Sequence, residues 1–303
     1  MSLKEIITCK YLSSVGLMLS LDENDIIIYD KDPNKIIHDF GKLQNGRDGC
    51  VIYIKFSFLR HFVHQVLPKI NYKFILVTGD GDETIPYDMF HFDEFNNIIK
   101  NDKIIHWYSV NCIESVHPKL SLIPIGVNFH SLSFGEFMSS PTQTPLEQEE
   151  CINKINSSSK PFFERKSKCY SNFHFAFYNK FDNPRRKAIE KIPKELIFYE
   201  QQFVERNTTW KNQSEYAFVV SPMGNGMDCH RTWEALMLGC IVIVEKSPLN
   251  ILYEDLPVLI LDDWSQITQE LLDSTIEKFK NNSYDYNKLT LKYWVNKIKN
   301  NEV

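Results

Sequence analysis

The chain has no CxxC pair and no apolar run of about the 18 residues that a membrane-crossing helix requires. Its seven cysteines stand singly at 9, 50, 112, 151, 169, 229 and 240, an odd number without zinc-ligand spacing. A disulfide framework and a zinc module are therefore excluded, and a reduced intracellular protein is expected. The N-terminus, MSLKEIITCKYLSSVGLMLSLDEN, lacks the long apolar core and cleavage site of a signal peptide. Excess positive charge is missing too. The net charge of −5 and the pI near 6.0 give no general attraction to nucleic acid or anionic membranes. Arginine is scarce, 7 residues against 27 lysines, so each arginine beside a phosphate-type motif gains weight. No internal repeat is present.

What remains is the composition of a soluble globular protein, 43% hydrophobic and 24% charged. Its 303 residues suffice for two domains of ordinary size. Short apolar runs alternate with helical patterns, which predicts α/β architecture with parallel sheets. Strands are expected at 26–29, 50–54, 74–77, 104–108 and 122–125, with helices at 57–67, stopped by Pro68, and 92–100. Residues 132–168 change character, with SSPTQTPLEQEE and NSSSKPFFERKSK around one short helix. The alternation then resumes with strands at 174–178, 196–199, 216–220, 241–244 and 258–261, and two helices at 265–280 and 286–300. The expected division is 1–135, a linker over 136–168, 169–283, and a final helix in 284–303 returning to the first domain.

The strongest local signal is YAFVVSPMGNGMDCHRTWEALMLGCIVIVEK, 216–246. A β-rich run ends at Ser221-Pro222, Gly224-Asn225-Gly226 reads as a tight turn, and Asp228 is placed to N-cap a helix from Cys229 to Leu238. Gly239 closes that helix before the next strand. A helix start reached through glycines presents backbone N–H groups and partial positive charge, a receptor for phosphate. At about 100° per residue, Trp233, Leu236, Met237 and Cys240 form one apolar stripe. His230, Arg231 and Glu234 gather on another flank. Arg231 suits bidentate contact with a diphosphate, and Glu234, one turn on, suits ribose hydroxyls. An i, i+3 Arg–Glu pair on a solvated face, worth only about 0.2–0.5 kcal/mol, is the bland alternative.

Two nucleotide readings compete. Gly224-x-Gly226-x-x-Cys229, with Glu245 ending the next strand about 20 residues on, approximates a dinucleotide fingerprint and a nicotinamide dehydrogenase. Cysteine in place of the third glycine, and the charged cluster His230, Arg231 and Glu234, oppose it.

The pattern Ser-Pro-x-Gly-x-Gly-x-Asp-x-x-Arg-x-x-Glu-Ala-Leu-x-x-Gly-Cys-x-x-Ile-Val, continued by SPLNILYEDLPVLILDDW, resembles the donor signature of exostosin-like, family 47-type glycosyltransferases. The short forms carried by large DNA viruses and protists are the most similar. The resemblance spans residues 215–265. It implies the GT-B fold, two doubly wound Rossmann-like domains facing across a cleft, with a nucleotide-sugar, most simply a UDP-sugar, as donor substrate. A glycan or glycoprotein hydroxyl would be the acceptor. Transfer would be inverting, no cofactor or metal would be required, and the soluble protein would be cytoplasmic, in host cytoplasm if viral. The donor would be held by Asn172, Arg185, Arg186, Ser221, Gly224, Asn225, Gly226, Asp228, His230, Arg231 and Glu234.

Among these, Asn183-Pro184-Arg185-Arg186 opens a helix after the expected 174–178 strand, either as a phosphate contact or as a solvated basic helix start. Asn172-Phe173 precedes that strand. In the first half, Thr78-Gly79-Asp80-Gly81-Asp82-Glu83 follows a strand on the side where a cleft should lie. A base must take the acceptor proton, and Asp82 is the first candidate, with Asp80 and Glu83 behind it. Asp80-x-Asp82 is also a metal-binding type of string, and an acidic turn is its plainest explanation. The catalytic candidates are thus Asp82, Asp80 and Arg231, with no metal ligand. His61 and His64 could approach the acceptor or serve as the base, though they sit among apolar residues that favour a structural role, and His130 lies on a loop after Ile125 that could reach the cleft. Trp210 and Tyr253 are aromatic candidates beside the nucleoside. A non-catalytic nucleotide- or glycan-binding module is the second hypothesis.

Overall fold

A computed structural model describes residues 3–20, 26–28, 43, 46–133, 141–173 and 181–301. It contains two five-stranded sheets in which every pairing is parallel. The first holds β1 (Ile26–Ile28), β2 (Cys50–Lys55), β3 (Phe74–Gly79), β4 (Ile104–Ser109) and β5 (Leu120–Leu122), side by side in chain order. The second holds β6 (Lys166–Ser171), β7 (Ile197–Tyr199), β8 (Tyr216–Val220), β9 (Ile241–Glu245) and β10 (Val258–Leu261), ordered β10-β9-β8-β6-β7. Central strands covered on both faces read as unbroken apolar runs, and β3 is buried at all six positions. The two sheets form two Rossmann-like halves, and residues of both line one cavity.

Three expected elements differ. The ladder of β5 ends at Leu122, two residues after it starts: Ile123 N still donates to Ser109 O at 3.0 Å, but the next donor on that side, Ile125 N, turns to Asp228 Oδ2 at 2.8 Å. The helix expected at 57–67 is Phe56–His61, followed by a π turn at Phe62–Val66 and a 3-10 turn, Leu67–Lys69, around Pro68. The second sheet begins with β6 at 166–171, inside and just beyond the expected linker, while the strand expected at 174–178 lies outside the described residues. Polar spelling hid β6. Its first half, Lys166 to Lys168, is largely exposed, with Lys166 paired to Glu215 at 2.7 Å, and only Cys169, Tyr170 and Ser171 are buried.

The core carries Trp107, Trp210, Trp233 and Trp264 fully buried. The last helix, Leu291–Lys299, buries Leu291, Trp294 and Ile298. It lies beside the N-terminal segment, with Leu291 N donating to Lys10 O at 2.9 Å and Leu12 N donating to Leu289 O at 2.9 Å. Among the described residues no helix is long and apolar enough to cross a membrane.

Candidate functional site

Ligands of parallel sheets sit beyond the carboxyl ends of the strands, in the crevice where strand order reverses. In the second sheet that reversal falls between β6 and β8. The helix His230–Met237 sends Arg231 across it. Arg231 Nε donates to Asn172 Oδ1 at 3.2 Å, just past β6, and Nη1 donates to Ser221 Oγ at 3.2 Å and Pro222 O at 3.4 Å, just past β8. Its guanidinium lies 5.4 Å from the centre of the Phe173 ring. Every one of these acceptors is neutral. Burial, with the repulsion of Arg185 beside it, holds the Arg231 pKa below its ordinary value.

Here opens a cavity of about 590 Å³. Asn172, Arg185, Gly224, Asn225, Gly226, Asp228, His230, Arg231 and Glu234 line it from the second domain, and Asp82 and Ile125 from the first. Of the expected donor residues, two stand apart. Arg186 is exposed on the helix Pro184–Lys191 and does not line the cavity. Ser221 is buried behind Arg231 and shares a 2.8 Å hydrogen bond with Thr232.

The glycines act through closeness rather than through turn geometry. Neither Gly224 nor Gly226 has a positive φ. A Cβ on Gly224 would stand 2.8 Å from Arg185 Nη2, and one on Gly226 would stand 2.8 Å from Asn111 Nδ2 and 3.3 Å from Asp82 Oδ1. The loop is thus threaded between a guanidinium of its own domain and the acidic loop of the other.

Asp228 is not the helix cap. Cys229 occupies that position and makes no side-chain cap. The Asp228 carboxylate instead bridges the start and side of this helix to the first half of the chain. Its Oδ2 accepts from Ile125 N at 2.8 Å, its Oδ1 from Cys229 N at 2.8 Å, and Trp233 Nε1 donates to both oxygens at 2.8 and 2.9 Å. Burial pushes its pKa up to about 7, with those hydrogen bonds opposing the rise. Beside it, Asn111, at φ 51°, donates from Nδ2 to Gly81 O at 3.2 Å and accepts from Asp228 N at 2.8 Å. One side chain therefore ties the loop of Asp82 to the loop of Gly226.

Glu234 does not pair with Arg231. Its Oε1 meets Arg206 Nη2 at 2.7 Å and its Oε2 accepts from Trp210 Nε1 at 3.1 Å. Burial raises the carboxyl pKa, but Arg206 and the Trp210 hydrogen bond outweigh it, and the net shift is downward. Arg206 also donates to Asn128 O, in the first domain.

Asp80 and Asp82 part company. Asp80, at φ 55°, is ion-paired to Lys55 at 2.7 Å and does not line the cavity. Asp82 is exposed and does line it. Glu83 does not line the cavity, and neither do His61, His64, His130 or Tyr253. His64 pairs with Glu94 at 3.1 Å, and Tyr253 packs 6.1 Å from Trp233. Trp210 lines the wall.

Sequence reading missed Arg206, Asn111 and the loop Glu200, Gln201, Gln202, Phe203 and Val204, all of the latter lining the cavity. That loop follows the carboxyl end of β7, a position that the strand-end rule alone would have pointed to.

No family model matches the chain, and no curated protein matches it by sequence. Among solved structures it is similar to the apo form of OtsA, with 8% identity over 89% of this chain and 77% of that one and a TM-score of 0.43. It is similar also to an α,α-trehalose 6-phosphate synthase from Burkholderia multivorans (9% identity, 89% and 76% coverage, TM-score 0.42). Sucrose-phosphate synthase from Thermosynechococcus elongatus gives 12% identity, 90% and 76% coverage and a TM-score of 0.38. These scores are too low to carry a substrate or mechanism across to this chain.

Proposed function

We propose that the protein is a glycosyltransferase that moves a sugar from a nucleoside-diphosphate donor, a UDP-sugar, to a hydroxyl of a glycan. The observation that carries this reading is the pair of neighbouring guanidinium groups, Arg185 and Arg231, on one wall of the interdomain cavity. Arg231 is bonded there to the neutral oxygens of Asn172, Ser221 and Pro222, and its pKa is depressed by burial and then by Arg185. Two guanidinium groups held together at a strand-order reversal suit an anion, and a diphosphate carries negative charge for both. The Gly224–Gly226 loop and the uncapped start of the helix His230–Met237 border the same place.

In this reading Arg231 and Arg185 neutralise charge developing on the departing diphosphate, so transfer proceeds without a metal. Preorganised donors of this kind are commonly worth about 2.7–4 kcal/mol each. Glu234, fixed by Arg206 and Trp210, keeps lone pairs for the ribose hydroxyls. Asp82 faces the donor loop from the other domain and takes the acceptor proton as the hydroxyl attacks the anomeric carbon, which gives inversion. Asp80, bound to Lys55, is set aside as a base. The dehydrogenase reading needs Glu245 beside a ribose, and Glu245 does not line the cavity.

A thermal-shift comparison tests the assignment. UDP and UDP-sugars should raise the melting temperature and NAD should not, with or without manganese. Stabilisation by NAD alone would refute the proposal. Transfer to a panel of glycan acceptors then separates an enzyme from a binding module.

A further inference from the structure

His230 opens the helix whose second residue is Arg231, and it lines the cavity. Its ring is fixed from the other domain. The Gly126 carbonyl lies 2.7 Å from Nδ1, and a carbonyl only accepts, so Nδ1 carries the hydrogen. That carbonyl is itself held in place. Gly126 has φ 68°, and a Cβ there would stand 2.2 Å from Leu12 O, so the N-terminal segment presses directly on its backbone. The opposite ring nitrogen, Nε2, bonds to no group among the described residues and is not closed off from solvent. A tautomer fixed at Nδ1 leaves Nε2 as a hydrogen-bond acceptor on a side chain that lines the cavity.

Resting on the nucleotide-sugar reading, we infer that His230 Nε2 accepts a hydrogen bond from one ring hydroxyl of the donor's sugar and so selects which sugar is transferred. The ring stays neutral in this role. Burial first, and then His130 and Arg206, push its pKa down to about 4, against the opposing pull of the Gly126 hydrogen bond and Glu234. An imidazole so weakly basic makes a poor proton acceptor in catalysis but a constant hydrogen-bond acceptor. Its neighbour Arg231 places the diphosphate in this reading, and the glycosyl ring is bonded directly to that diphosphate.

The test is calorimetric titration of the full chain with UDP, UDP-glucose, UDP-galactose, UDP-N-acetylglucosamine and UDP-xylose. The tightest-binding sugar is then repeated as its monodeoxy analogues. H230N keeps a donor toward Gly126 and loses the far acceptor. It should bind UDP within about two-fold of wild type and the UDP-sugar about 3- to 10-fold more weakly. One monodeoxy analogue should bind wild type correspondingly weakly and H230N no more weakly than its parent sugar. Equal weakening of UDP and UDP-sugar, or no change in either, would overturn the assignment. So would intact donor affinity with a pH-dependent loss of turnover, which would make His230 a base. In wild type, the absence of any deoxy position costing more than about two-fold overturns the proposal without a variant. Wild type that binds neither UDP nor any UDP-sugar would refute the nucleotide-sugar reading itself, and this one with it.

Discussion

The second sheet reverses its strand order between β6 and β8, whereas the described strands of the first run in chain order without a break. At a reversal, neighbouring loops leave toward opposite faces and a crevice stays open. Arg231 fills that crevice by bonding to both of its rims, Asn172 and Ser221. Among its described strands the first sheet has no such reversal, and polar groups at its carboxyl edge find partners close by. Asp80 binds Lys55, Asn111 is buried, and the backbone of Ile125 and Gly126 is taken up by Asp228 and His230. One half of the molecule presents Arg185 and Arg231 to the cavity; the other supplies anchors and the exposed carboxylate of Asp82.

That division makes unequal demands on single residues. Asp82→Asn should have the largest effect, lowering turnover by about 10²–10⁴-fold with UDP affinity and melting temperature unchanged. Normal turnover would remove the first domain from the chemistry. Arg231→Ala should lower turnover by about 10²–10³-fold and weaken UDP binding as well, because the grip and the leaving-group contact are one side chain. A variant with full UDP affinity would place the diphosphate elsewhere. Asn111→Ala strands the Asp228 N–H and the Gly81 carbonyl, and guanidinium unfolding should show a loss of about 1–3 kcal/mol. An unchanged midpoint would mean that this bridge between the domains carries no stability. Arg186→Ala should change turnover by less than about two-fold, since replacement of an exposed side chain away from the cavity is normally near neutral. A large effect there would shift the phosphate contact from Arg185 to its neighbour.

Two buried carboxylates sharpen the comparison without any substitution. Glu234 has Arg206 against it and a lowered pKa, whereas Asp228 has only neutral donors and a pKa near 7. The indole N–H resonance of Trp233, bonded to Asp228, should therefore titrate with a midpoint near 7, and that of Trp210, bonded to Glu234, should stay flat above pH 5. Folding raises the Asp228 pKa from its ordinary 3.8, so the folded protein binds that proton more tightly than the unfolded chain. This group therefore lowers stability as pH rises from about 4 to 7. Titration of both indoles together would show that the Arg206 pair does not hold Glu234 ionised.

Local order explains which features could be read early. From Tyr216 to Glu245, strand, loop, helix and strand are continuous in the chain, and β8, the helix His230–Met237 and β9 fall within a residue of their expected ends. β6 was missed because its lysines lie at the exposed end of a strand whose buried half is only three residues long. Asp228 was misread as a cap because a lone Asp before a helix has the same spelling whether it turns to its own helix or to another domain.

The amino-acid order alone settled two parallel α/β halves, the strand–loop–helix that presents Arg231, and the burial of Trp233, Leu236, Met237 and Cys240 behind it, since periodicity and glycine placement act over a few residues. Only the tertiary structure decided that Glu234 answers to Arg206, that Asn111 joins the two loops, that Asp82 and not Asp80 meets the cavity, and that Gly126 fixes the His230 ring. The bonded pairs among these lie between 25 and 117 positions apart in the chain, and only tertiary packing, of strand end beside strand end, helix on helix or one half on the other, brings such groups within hydrogen-bonding distance.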